Sequence, residues 1–200
     1  MANAEPAKIL QIVRERLKPG SEAAYAAIEE EIARASASLG CPHAYLGAQS
    51  VDGPPDVWWF NGYESSSEQA GVADAYAKNE ALMAVLLANS LRKAELTLAP
   101  IEVITHYRPD ASSGPPWVLG TGRFLLIAAT NESHAGTAFE TADGGRYLIT
   151  PFETRERADA ARALAGPESY VLAVRPHWSF PAQEWVAADP MFWSGQHFTR

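Results

Sequence analysis

Two histidines carry the side chains best suited to proton transfer near neutral pH. His106 lies in Thr105-His106-Tyr107 and His177 in Pro176-His177-Trp178. An imidazole with an ordinary pKa near 6.5 can act as a proton-transfer group or as an axial haem ligand. The ordinary alternative is a histidine hydrogen-bonded inside the fold. Arg14 and Arg16 share one face of an Ile/Val-rich run, where a guanidinium can hold a carboxylate or enolate oxygen. Their commoner role is an ion pair, with Glu15, Glu64 and Glu102 as the partners the sequence offers. Trp58, Trp59 and Phe60 form an aromatic run. Strand alternation sends Trp58 and Phe60 to one side, and Trp59 and Asn61 to the other. One side makes a wall for a flat apolar molecule, and the Asn61 amide can orient a carbonyl. Tyr45 and Tyr107 add phenols to the same half. The candidate catalytic set is therefore His106, Asn61 and Arg14. The candidate substrate-binding set is Trp58, Trp59, Tyr107, Tyr45 and His177.

Other chemistries lack their residues. Gly120-Thr121-Gly122 precedes a strand instead of joining a strand to a helix, so it is no dinucleotide loop, and neither a nucleophile elbow nor a phosphate-cradling loop occurs. Histidines at 43, 106, 134, 177 and 197 have no metal-ligand spacing, so no metal site is expected. Cys41 is the single cysteine, which excludes an internal disulfide and points to a reducing compartment. The 16 Lys+Arg against 24 Asp+Glu give a net charge of −8, the wrong sign for a nucleic-acid binder. Met1 to Lys8 shows no secretory signal, and the apolar run Ala81 to Ala88 is far short of the roughly 20 residues of a membrane span. A soluble, cytoplasmic protein with a small-molecule ligand, and with neither nucleic-acid nor membrane partner, is the expectation.

The elements that must position these residues follow from periodicity and punctuation. Lys8 to Lys18 reads as a strand ending at Pro19-Gly20. A helix from Ser21 to Leu39 should bury Tyr25, Ile28, Ile32, Ala35 and Leu39 and leave Glu29, Glu30 and Arg34 to water. Strands over His43 to Val51 and Asp56 to Tyr63 flank a Gly-Pro-Pro turn. Ser67 to Leu96 is helical, with Asn79 able to cap a second piece, and Ile101 to Tyr107 closes the set. Strand, helix, strand, strand, helix, strand is the ferredoxin-like order. After a Ser/Gly/Pro linker the order restarts without its first helix: strands at Arg123 to Thr130, Gly136 to Thr141 and Arg146 to Phe152, a helix at Thr154 to Leu164, and a strand at Ser169 to Phe180. Tyr63-Glu64-Ser65 and Phe152-Glu153-Thr154 mark equivalent strand-to-helix entries of an internal repeat, and the two His-aromatic pairs mark equivalent closing strands.

Ile12 to Gly20, the amphipathic helix after it, and the aromatic strand entering a Tyr-Glu-Ser turn resemble the dimeric α/β-barrel superfamily, in particular its antibiotic-biosynthesis-monooxygenase-like and NIPSNAP-like members. The resemblance implies an α+β fold in which two ferredoxin-like units in tandem pair their antiparallel sheets into a barrel, the second unit reduced. It implies a pocket between sheet and helices that binds a small apolar or aromatic metabolite. Such a pocket serves cofactor-independent monooxygenase-like chemistry, non-catalytic binding or sensing, or haem; no cofactor is the leading expectation and haem the alternative. The expected division is residues 1–110 for the first unit, 111–122 for a linker, 123–182 for the reduced unit and 183–200 for an aromatic tail that fills the groove left by the missing helix. A homodimer is compatible with the pattern, although duplication within one chain removes the need to dimerise for barrel closure.

Overall fold

The computed structural model describes residues 5–129 and 135–193, so His134, His197 and Phe198 lie outside the described residues. The first half runs β1 (Ile9–Arg16), α1 (Glu22–Ser38), β2 (Tyr45–Ser50), β3 (Asp56–Tyr63), α2 (Ser66–Lys78), α3 (Glu80–Leu96) and β4 (Ile101–Tyr107). The second runs β5 (Phe124–Ala129), β6 (Thr137–Thr141), β7 (Arg146–Phe152), α4 (Arg155–Ala165) and β8 (Ser169–Val174), followed by short helices α5 (Gln183–Ala188) and α6 (Pro190–Trp193). All eight strands close into one antiparallel barrel in the order β1-β3-β2-β8-β5-β7-β6-β4. The seams between halves are β2 with β8 and β4 with β6.

Local chemistry sets the boundaries. The Ser65 hydroxyl accepts from the Glu68 amide and caps α2, while the Asn79 side chain accepts from the Leu82 amide and starts α3. The matching entry Phe152-Glu153-Thr154 stands at the start of α4, as the repeat predicts. His177 departs from the expectation. β8 stops at Val174, and Pro176–Trp178 form a 3-10 turn. Proline has no N–H to give a ladder, and after Val174 the chain turns at Pro176 instead of continuing β8, so His106 and His177 are not equivalent.

Alternation sorts the side chains into two layers. Leu10, Ile12, Leu46, Ala48, Trp58, Phe60, Leu125, Ile127, Phe139, Ile149, Leu172 and Val174 fill the barrel interior. One end is plugged: Trp117 and Trp193, each 1% exposed, enter this cluster with Leu119, Trp185 and Phe192 against it. The tail up to Trp193 thus packs over a barrel end, because that end offers apolar side chains of the barrel interior. Burying each such ring contributes on the order of 2–3 kcal/mol. Gly120, at φ +90°, lies under Trp185, where an added Cβ would sit 2.2 Å from the ring.

The outer face of β1 and β3 is covered by α1 and α3, which pack on each other on one side of the sheet. Here Glu29 is buried, contrary to the expectation that it faces water, while Leu39 is partly exposed. The partner that draws Glu29 inward is Lys93 of α3, 2.7 Å away, which also contacts Glu15 at 2.9 Å.

Candidate functional site at the open barrel end

The end opposite the plug is an open mouth. A cavity of about 260 Å³ is lined there by Ile12, Arg14, Trp58, Val103, Tyr147 and Tyr170, with Ile101, Ala129, Pro167 and Glu168 around it. β1 and β3 bring Arg14 opposite Trp58 in register, and β8 supplies Tyr170 from across the barrel. The Arg14 guanidinium carbon lies 5.0 Å from the Trp58 ring and 4.5 Å from the Tyr170 ring, and the two ring centroids are 5.5 Å apart, so the three groups form a compact cluster. Its Nη1 donates to the Tyr170 hydroxyl at 3.4 Å.

Asp56 anchors the arrangement. Its carboxylate accepts from Arg14 Nε at 2.7 Å, from Arg14 Nη2, and from Arg16 Nε at 2.8 Å. Burial on its own would raise the Asp56 pKa, but the hydrogen bonds from Arg16 and Arg14 outweigh it and hold the carboxyl below its ordinary value. The same contact with Asp56 raises Arg16. Two guanidiniums against one carboxylate leave the triad one positive charge in excess. At Tyr147, desolvation raises the phenol, which therefore stays a neutral hydrogen-bonding group. The Trp58 indole N–H is buried and has no hydrogen-bond partner.

The structure separates the residues singled out in the sequence. Arg14 and Trp58 share the open mouth. Tyr107 packs toward the interior cluster with its ring 5.9 Å from Phe139, while its neighbour His106 is exposed on the outer face of β4. Trp59, Asn61 and Tyr45 lie on the outer face of β2 and β3. There Trp59 Nε1 donates to Glu15 at 2.9 Å, and the Tyr45 hydroxyl lies 3.2 Å from that of Ser36. Asn61 is half-buried, in register with Gln11 and Tyr45. His177 sits in its 3-10 turn, edge-on to Trp178 at 5.4 Å. The space between sheet and helices, where the resemblance implied a pocket, holds the Glu15–Glu29–Lys93–Tyr25–Trp59 network. The described cavity is instead at the barrel end. Asp56, Tyr147, Glu168 and Tyr170 are additions of the structure, contributed by a strand start and by the second half.

Neither histidine named as a candidate axial ligand lines the described cavity. An axial ligand must reach the iron from the wall of the porphyrin cavity. The lining of the described cavity contains no histidine, His106 faces outward, and His177 packs against Trp178.

A closed barrel of two ferredoxin-like halves, one missing its first helix, is the dimeric α/β-barrel fold with both halves on one chain. A solved structure from Fusobacterium nucleatum subsp. nucleatum, of a protein provisionally named a monooxygenase, shares it. Its TM-score is 0.54 at 9% identity, covering 84% of this chain and 93% of that one. At that identity the shared property is the fold. A provisionally named monooxygenase from Lactobacillus acidophilus aligns with a TM-score of 0.45 at 9% identity, over 84% of this chain and 94% of its own. A provisionally named chlorite dismutase also aligns at 0.45, with 10% identity over 86% of this chain and 96% of its own. No family model and no curated protein matches the sequence.

Proposed function

We propose that this protein binds a small, flat, apolar or aromatic molecule in the open end of its barrel, with Arg14 as the polar anchor. The observation that carries the reading is the cavity itself: about 260 Å³, walled by Ile12, Trp58, Val103, Tyr147 and Tyr170, at the unplugged end. Its volume is below the usual range for drug-sized ligands, so a molecule of one or two rings suits it. Fragment screening by thermal shift on the wild type and on Ala129→Trp tests this, because the substitution narrows the mouth from the end of β5. Ligands that raise the wild-type Tm should leave that of the variant unmoved. Equal shifts in both proteins contradict the reading.

Cofactor-independent oxygenation is the catalytic form of the same reading, supported by the Glu168 carboxylate and the Arg14 guanidinium lining one cavity. A base facing an enolate holder can remove a proton from an activated methylene. That carbon then reacts with dioxygen, becoming a carbonyl as one water leaves, and the substrate supplies the electrons. Oxygen uptake with each binding fragment is the measurement. Binding without uptake, by the wild type and by Glu168→Gln alike, identifies a binding or sensing module.

A further inference from the structure

We infer that the ligand of the barrel mouth is a monoanion, an aromatic or cyclic carboxylate or an equivalent oxyanion, held by Arg14 and Trp58 together. The inference rests on the barrel-mouth reading and adds the chemical class. Unengaged hydrogen-bond donors gather at this site. Trp58 is 3% exposed, lines the cavity, and carries an indole N–H with no partner. Native structures rarely leave such a donor unmatched, and a ligand oxygen seated against the Trp58 side chain, which lines the cavity, would satisfy it. Arg14 has five N–H bonds. Three are engaged, two with Asp56 and one with Tyr170, so further N–H bonds remain for a ligand. The Tyr170 hydroxyl accepts from Arg14, which leaves its own proton to donate.

Charge agrees with this count. Arg14 and Arg16 share the single carboxylate of Asp56, so this triad carries one positive charge in excess beside the buried Trp58 ring. The Trp58 and Tyr170 rings both pack against the Arg14 guanidinium, which holds its remaining donors in place without a second carboxylate. Glu168 stands at the rim and is exposed. Its carboxylate repels a second negative charge on the outer part of the ligand, which limits the class to monoanions.

The probes are 2-naphthoate, its neutral isostere 2-naphthamide, and naphthalene-2,6-dicarboxylate, titrated calorimetrically into the wild type, Arg14→Gln and Trp58→Phe. The expected result is 2-naphthoate binding at least tenfold tighter than either the amide or the dianion. Each variant should lose most of that advantage while keeping affinity for the amide. Equal affinity for acid and amide in the wild type overturns the anion assignment and leaves the mouth as a neutral apolar site. If neither binds, the barrel-mouth reading falls as well. Should Trp58→Phe fail to fold, the indole N–H resonances of ¹⁵N-labelled wild type decide. Saturating 2-naphthoate should shift one buried indole proton downfield while 2-naphthamide shifts it less, and unmoved indole resonances overturn the role of Trp58.

Discussion

Arg14 on the first strand of one half and Tyr170 on the last strand of the other meet across the open barrel end, guanidinium carbon 4.5 Å from ring centroid and Nη1 3.4 Å from the hydroxyl. The contact draws the site from both halves of the chain. The properties of the mouth therefore depend on the charge balance around Arg14.

Asp56→Asn should be the most damaging single change at the mouth. It leaves two guanidiniums facing a neutral amide, at a cost of about 3–5 kcal/mol for breaking a buried ion pair. Arg14→Gln should cost less, since Arg16 still holds Asp56. Urea unfolding at pH 7 measures both.

Acid should reproduce part of the Asp56→Asn effect in the wild type. The folded Asp56 pKa is below its ordinary value, so the folded state favours the ionised form. That contribution is complete above the unfolded value of about 4 and is lost as the pH falls through the folded value. The stability difference between wild type and Asp56→Asn should shrink between pH 5 and pH 2. A constant difference over that range contradicts the ion-pair account.

The network beneath α1 and α3 makes the opposite prediction for its two partners. Burial raises Glu29 despite Lys93 beside it, so protonation favours the folded state and the stability tied to Glu29 declines as pH rises through its folded value. Burial opposes the Lys93 charge, but Glu29 and Glu15 outweigh it and raise Lys93, whose contribution persists until the pH passes above its folded value. Lys93→Met leaves two carboxylates without their cation and should cost about 3–5 kcal/mol at pH 8, with part recovered on acidification to pH 5. Glu29→Gln should cost less than about 1 kcal/mol at pH 8, because Lys93 keeps Glu15. Chemical denaturation of both variants at the two pH values is the check.

At the plugged end, Trp193→Ala should destabilise by about 3–5 kcal/mol through the cavity it leaves among Trp185, Phe192 and the barrel interior. Ligand affinity at the opposite end should change less than twofold. Paired unfolding and titration experiments separate the two effects.

Elements set by local chemistry were legible in the sequence. Ser65 and Asn79 announce their helices within a turn, and the Tyr-Glu-Ser and Phe-Glu-Thr triplets mark the entries to α2 and α4. What pairs across the chain was not. Arg14 is visible as an anchor, but its partner depends on a strand register that sets Arg16 opposite Asp56 and on a barrel closure that delivers Tyr170. Glu29 occupies a position that periodicity assigns to water, and Lys93 of a later helix pulls it inside. Pro176 was a readable signal, because a proline gives no N–H to a ladder and favours strand ends, and β8 stops at Val174 before His177. His106 looked apt for chemistry by type alone, yet alternation on β4 turns it outward once Tyr107 faces the interior.

The location of the ligand tests the account most directly. Intermolecular nuclear Overhauser effects from a bound naphthalene-ring fragment to the labelled protein would place it. The account predicts contacts to Ile12, Val103, Tyr147 and Tyr170. Contacts instead to Tyr45, Trp59 and Asn61, beneath the helices, would contradict it.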